Sequence, residues 1–279
     1  MSEDDSQETL RKKDSGWLEA IRAMPNDSTQ KTLIVAVALS LVCSVLVASA
    51  AVLLKPLQEQ NEVLDKKKNI LAVAGLLKED KSIDEQFKQV EAKVVDLASG
   101  EYVDTIDPAA YDARKAAKDP GQSVAIPSDR DVAGIKTRAK HATVYLVKKG
   151  DQIERVILPI HGTGLFSTLY GFIALEGDAN TVYGLSFYDH GETPGLGGEV
   201  DNPKWRSLWS GKIVYDEKGA LQIEVVKGRV DSSKPEAKHQ VDGLSGATLT
   251  SNGVTNMLVY WLSEDGFAPF LAKIRPQLG

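Results

Sequence analysis

A chain of 279 residues, 42% of them hydrophobic, is long enough for one large domain or two small ones. A formal net charge of −6 without a long Lys/Arg run argues against nucleic acid as a partner. The single cysteine, Cys43, excludes an intrachain disulfide and a cysteine-built zinc or iron–sulfur site from this chain alone, and none of His141, His161, His190 and His239 stands at metal-pair spacing from another.

Residues 1–32 are polar and mixed in charge. Trp17, Leu18, Ile21 and Met24 fit a short amphipathic helix ending near Pro25-Asn26; a helix on a membrane surface and a tail with one apolar turn are equal readings. Leu33 to Leu54 contains no charged residue, and at helical rise it spans about 33 Å, enough for a bilayer core. The small residues Ala48-Ser49-Ala50-Ala51 mimic a cleavage site, but the run is too long for a signal-peptide core. An uncleaved anchor is the reading, with a cleaved signal as the minor alternative. Basic residues flank both ends (Arg22 and Lys31, then Lys55 and Lys66-Lys67-Lys68), so charge gives no orientation. Pro56 marks the exit, and Leu57, Val63, Leu64, Ile70, Leu71 and Leu77 continue as a stalk helix. Ser82 and Glu85 form a capping box for a helix with Ile83, Phe87, Val90, Val94 and Leu97 on one face, ended by Gly100.

Tyr102 to Ile106 reads as a strand and Pro108 to Lys118 as a short helix, followed by loops at Asp119-Pro120-Gly121 and Ile126-Pro127. Thr143–Val147 and Ile153–Ile160 alternate around a Gly150-Asp151 turn, and Thr168–Leu175 and Val182–Tyr188 around Gly177-Asp178. Between these hairpins, His161-Gly162-Thr163-Gly164-Leu165-Phe166 is either a plain turn or a point of close backbone approach. Residues 191–199 hold four glycines and a proline in nine positions, a loop able to lay bare backbone against a flat ring. Asn202-Pro203 opens a helix whose Trp205 and Trp209, four apart, face the core or a partner subunit, the core being the preferred reading. Lys212–Tyr215 and Leu221–Lys227 form another hairpin around Lys218-Gly219, and 229–240 is a polar loop. Consecutive hairpins predict an α+β fold: one N-terminal transmembrane helix, then a mainly antiparallel sheet over 143–228 flanked by helices.

Asp242-Gly243-Leu244-Ser245-Gly246-Ala247-Thr248-Leu249-Thr250-Ser251 precedes an apolar-periodic helix carrying Val254, Met257, Leu258, Trp261 and Leu262. The hydroxyls of Thr248, Thr250 and Ser251 therefore sit at or just before a helix N-terminus, where an anion is favoured. An ordinary N-cap by Thr250 or Ser251 is the plain alternative. That helix ends near Gly266, and Phe267 to Ile274 forms the last one.

Ser-Gly-Ala-Thr-x-Thr after Asp242 resembles the flavinylation signature of the FMN-binding domain family, and Glu192-Thr193-Pro194-Gly195-Leu196-Gly197 resembles that family's second motif. The resemblance implies one FMN joined by a phosphoester bond to Thr250, attached by a flavin transferase that takes it from FAD. It implies cofactor-binding roles for Asp242, Ser245, Gly246, Ala247 and Thr248, and for Glu192, Thr193, Gly195, Leu196 and Gly197. Leu196 and Thr193 are the expected ring contacts, with Phe166 and Tyr170 as weaker candidates. Nearly the whole chain is similar to the C-subunit family of sodium-translocating NADH:quinone reductases. That similarity implies a bacterial inner-membrane protein with a cytoplasmic tail (1–32), a transmembrane helix (33–54), a stalk and helical lobe (55–140) and a periplasmic covalent FMN-binding domain (141–279). It also implies sister subunits of a complex that oxidises NADH, reduces ubiquinone and moves sodium, with this chain relaying electrons and not catalytic alone. The alternatives are the G subunit of the related ion-translocating ferredoxin-linked complex, which shares both motifs, and an anchored extracytoplasmic flavin-binding sensor. A threonine or serine hydrolase is disfavoured, since no histidine lies within the motif to act as a base.

Overall fold

The structure, a computed structural model, describes residue 16 and residues 19–150 and 152–275. Trp17, Leu18 and Asp151, which figure in the expectations above, lie outside the described residues; residues 19–23 are helical, with Ile21 half-buried. The chain divides between Glu62 and Val63 into two compact units.

The first unit holds most of α1, Thr29–Val73, a helix long and apolar enough to cross a membrane. Its side chains from Leu33 to Leu54 are all exposed, an apolar surface suited to hydrocarbon rather than water. Pro56 lies inside this helix. It removes one backbone donor, and the good helix formers around it carry the helix on. Gly75, at φ +67°, ends it: the Leu76 N–H donates to Leu71 O (2.8 Å) and the Gly75 N–H to Ala72 O (3.1 Å).

The second unit is built on one antiparallel sheet. Its strands are β1 (Val90–Asp96), β4 (His141–Lys149), β5 (Gln152–Thr163), β6 (Thr168–Glu176) and β7 (Val182–Asp189), in the order β1-β4-β5-β6-β7. The smaller elements are α2 (Ile83–Phe87), α3 (Ala113–Ala116), the ribbon β2 (Ser123–Ala125) with β3 (Thr137–Ala139), α4 (Pro203–Ser207), and β8 (Glu224–Val225) with β9 (Gln240–Val241). Two C-terminal helices complete it: α5 (Thr248–Trp261) and α6 (Ala268–Ile274).

Both hairpins of the predicted sheet are present, and they pair through β5 and β6. The predicted helix over 82–100 is not. Ser82 does cap, accepting from the Glu85 N–H at 3.3 Å, but α2 stops at Phe87 and residues 90–96 become the edge strand β1 against β4. Val90 and Val94 are four apart, a spacing that fits a helix face and also alternate strand positions. The β-branched run and the open edge of β4 decide for the strand. Val90 and Ala92 then pack on one side of the sheet, Val95 and Leu97 on the other.

Other expectations shrink in the same way. The strand at 102–106 is a single bridge, Tyr102 to Val95. The helix at 108–118 is α3 alone, capped by Asp112, which accepts from the N–H groups of Arg114 and Lys115. The hairpin at 212–227 keeps its turn, held by Asp216, but only the Tyr215–Leu221 bridge joins its arms. β8 instead pairs in parallel with β9, so the loop over 229–240 is a crossover. α4 forms as predicted, with Asn202 accepting from the Lys204 N–H and Pro203 in the first turn.

The sheet is covered on both faces. Ile70, Leu71, Val73 and Ala74, at the end of α1, pack with Tyr145, Ile157, Phe172 and Ala174. On the opposite face Val144, Val156, Leu158, Ile173 and Leu185 pack with α5, α6, Trp205 and Trp209. Each such large apolar side chain contributes about 1.5–3 kcal/mol on burial.

Candidate functional site

Helix α5 lies against the end of β5 because its facing positions are small or flat. A Cβ on Gly253 would meet Thr163 O at 2.5 Å and Gly164 Cα at 3.2 Å. One turn on, Met257 covers Gly162, and one turn further the Trp261 indole N–H donates to His161 O at 2.6 Å. Thr250 precedes Gly253 by three residues, so it shares this inward face. The helix begins at Thr248 with Ala247 in the cap position and no side-chain cap. Thr250 and Ser251 are therefore not N-caps. Ser251 Oγ accepts from the Leu244 N–H (3.0 Å), which ties the preceding turn to the helix. Asp242 is structural in this state: its carboxylate accepts from the Val230 N–H (2.8 Å), and its carbonyl from the Trp205 indole (2.7 Å).

The loop at 192–198 closes over Thr250. Pro194 and Gly195, at φ +76°, occupy the middle of a turn in which Thr193 O accepts from the Leu196 N–H at 3.1 Å, the type II pattern. Glu192, at its start, is buried at 5% exposure, and Thr250 is fully buried. The Thr250 hydroxyl donates to Glu192 Oε2 at 2.7 Å. Glu192 Oε1 accepts from three backbone N–H groups, those of Leu165 (3.1 Å), Phe166 (3.0 Å) and Ser167 (3.3 Å). Burial pushes the Glu192 carboxyl up, but the Thr250 hydroxyl and these N–H groups outweigh it and hold the carboxyl below its usual range. The turn after β5 is thus more than a plain turn: it is a cradle for a carboxylate.

The two motifs meet. Gly197 packs on Thr250, and Leu196 approaches Gly246, where an added Cβ would lie 3.1 Å from its Cδ2. Ala247 is buried and Asp242 half-buried, whereas Ser245, Gly246, Thr248, Thr193 and Gly195 are exposed. Leu165, Phe166, Leu196 and Leu249 are all exposed large apolar side chains. Tyr170 is engaged elsewhere, stacked on His161 at 5.4 Å with Arg114 3.5 Å above its ring.

His161 lies between Tyr170 and Trp261. Burial, and then the Arg114 charge, push its pKa down to about 4 from the ordinary 6.5. Between those values the unfolded chain binds the extra proton and the fold does not, so stability falls as pH drops through that window. His161→Phe should flatten this part of the profile, read as a denaturant midpoint that no longer falls between about pH 6.5 and about pH 5.

Residues 164–263 match the family model described as FMN-binding domain. The C subunit of the Na(+)-translocating NADH-quinone reductase of Pseudomonas aeruginosa is 55% identical over 253 residues, which cover 89% of this chain and 97% of that protein. The chain belongs to this C-subunit family. The Vibrio vulnificus member is 52% identical over 251 residues, 90% of this chain and 97% of that protein. The crystal structure of NqrC from Shewanella oneidensis matches with a TM-score of 0.70 at 34% identity, covering 76% of this chain and 98% of that one. The crystal structure of the Parabacteroides distasonis member matches at 0.61 and 31%, covering 78% and 96%. In this member of the family, several residues that build the site carry no sequence signal of their own. Ser167 is one, accepting from the Gly191 N–H (2.6 Å); Gly164, by contrast, bears out the close approach read from its stretch, leaving room for Glu192 with an added Cβ 2.5 Å from Oε1. Gly253 does carry a signal, because a glycine inside a helix marks close approach, but nothing local names the neighbour it approaches.

Proposed function

We propose that this chain is the FMN-carrying electron-transfer subunit of a Na(+)-translocating NADH-quinone reductase, with FMN joined by a phosphoester bond to Thr250. The observation that carries this reading is the 2.7 Å contact between Thr250 and Glu192, which unites two motifs 58 residues apart. Family membership supports the complex and the sister subunits. The surroundings of Thr250 suit the cofactor. The N–H groups of residues 248–250 precede the first intrahelical bond, from the Ser251 N–H to Ala247 O, and favour a phosphate. Exposed Leu196, Leu165, Phe166 and Leu249 offer apolar area to a flat ring, and Thr193 and Leu196 are the side chains we assign to it.

FMN supplies the one-electron chemistry, and the protein supplies position and electrostatics. A covalent tether holds the group at high effective concentration and tolerates a shallow, open site. In this reading α1 is the single membrane anchor and residues 1–32 are cytoplasmic; the periplasmic FMN domain proposed for 141–279 also needs β1 and the end of α1, which complete its sheet and core, so 55–140 is part of that domain as well as its link to the anchor. A flavin transferase completes maturation. The test is to denature the protein from cells that contain the transferase, view the gel under ultraviolet light, and analyse the tryptic peptide spanning Thr250 by mass spectrometry. A fluorescent band and a peptide heavier by one FMN are expected. A dark band and a bare peptide would remove the relay role.

A further inference from the structure

We infer that Glu192 is the proton acceptor that activates Thr250 for its own modification, an inference that rests on the attachment proposed above. A threonine hydroxyl is a weak nucleophile and needs a base in reach. Among the described residues, the hydrogen-bond partner of the Thr250 hydroxyl is Glu192, at 2.7 Å. The nearest histidine in sequence to Glu192 is committed elsewhere: His190 pairs through Nε2 with Asp201 (2.8 Å), and its Nδ1 accepts from the Glu192 N–H (3.3 Å).

The carboxylate divides its work between its two oxygens. Oε1 takes all three N–H groups of the 165–167 turn, and Oε2 faces Thr250. The second oxygen is thus held, buried, against the one hydroxyl that the proposed attachment modifies. Space is also reserved on the Thr250 side. A Cβ on Gly197 would stand 2.5 Å from Oε2 and 2.6 Å from Thr250 Oγ1. The Thr250 hydroxyl first, and then the three N–H donors, keep the carboxylate ionised at neutral pH, which is its accepting form.

In the step, Thr250 Oγ bonds to the riboflavin-side phosphorus of FAD. The pyrophosphate P–O bond breaks, AMP leaves with the electron pair, and the Oγ proton passes to Glu192 Oε2. Nothing is oxidised or reduced. The transfer leaves a neutral carboxyl beside the new phosphodiester anion, so two like charges are not forced together. Gly197 covers the Thr250 oxygen, and the loop from Thr193 to Gly198 bonds largely within itself, so it can lift to admit the phosphorus.

The test uses the full chain in detergent with purified flavin transferase and FAD, following initial flavinylation rates by in-gel fluorescence. Glu192→Gln should load about 10²–10⁴-fold more slowly than wild type. The wild-type to Glu192→Gln rate ratio should shrink as pH rises from about 6 to about 9, because hydroxide replaces the missing base; the transferase's own titrations cancel in the ratio. Asn202→Ala removes the side-chain cap of α4, a structural bond outside the site, so it loses stability and should still load within about threefold of wild type. Glu192→Gln at the wild-type rate, a ratio independent of pH, or Asn202→Ala as slow as Glu192→Gln would each overturn the inference. If Glu192→Gln does not fold, Glu192→Asp decides: a loss of about tenfold or more at an unchanged denaturant midpoint supports the role, and a wild-type rate rejects it. Wild type that never loads would instead sink the Thr250 attachment itself.

Discussion

Thr250→Val, produced beside an active flavin transferase, yields a denatured band that is dark under ultraviolet light and a peptide of unmodified mass. Valine matches the shape of threonine but has no oxygen to form the ester. The neighbouring hydroxyls do not substitute. Ser251 Oγ is bound to the Leu244 N–H, and Thr248 is exposed, whereas Glu192 is buried in the loop that packs against Thr250. Against wild type made without the transferase, whose Thr250 hydroxyl is free, the variant also loses stability, because the buried Glu192 Oε2 loses its donor, a cost of about 1–3 kcal/mol. Thr250→Ser keeps an oxygen at the same point and stays fluorescent. A bright Val variant would move the flavin to another residue.

Gly253→Ala has the second largest expected effect. Alanine favours a helix over glycine by about 1 kcal/mol. Against that, its Cβ would stand 2.5 Å from Thr163 O and 3.2 Å from Gly164 Cα, both backbone atoms that no rotamer change removes. Overpacking of this kind costs about 1–3 kcal/mol, and here it wins, since α5 must back away from β5 to relieve it. That retreat carries Thr250 off Glu192, so flavinylation slows along with the loss of stability. Asn252→Ala, one residue earlier and exposed, serves as the control. It should leave the urea midpoint unchanged or slightly raised and loading intact.

Much of this is readable from the residues. The alternation in 143–147, 153–160, 168–175 and 182–188 leads to four strands in their true pairing, and Asn202-Pro203 marks a real helix start. The segment at 90–96 misleads because valines four apart satisfy both periods, and only the unpaired edge of β4 resolves the choice. At the site, the motifs name both Thr250 and Glu192, yet the bond between them spans 58 residues and no local pattern encodes it. The signature lacks a base locally, and the fold supplies one from the other loop. The cradle at 165–167 escapes for a related reason: it is made of backbone N–H groups, which every residue but proline possesses.

The end of α1 has a practical consequence for dissecting the molecule. Ile70, Leu71, Val73 and Ala74 roof one side of the sheet, although they follow, on the same helix, the run long and apolar enough to cross a membrane. A fragment trimmed to the family-matched stretch, 164–263, would keep β6 and β7 but discard three of the five strands and that roof. The smallest piece that retains a closed hydrophobic interior begins upstream of Ile70 and runs through Ile274. Soluble versions for spectroscopy should be cut in the exposed helical stretch between Leu57 and Val63, where severing the chain uncovers nothing that the sheet needs.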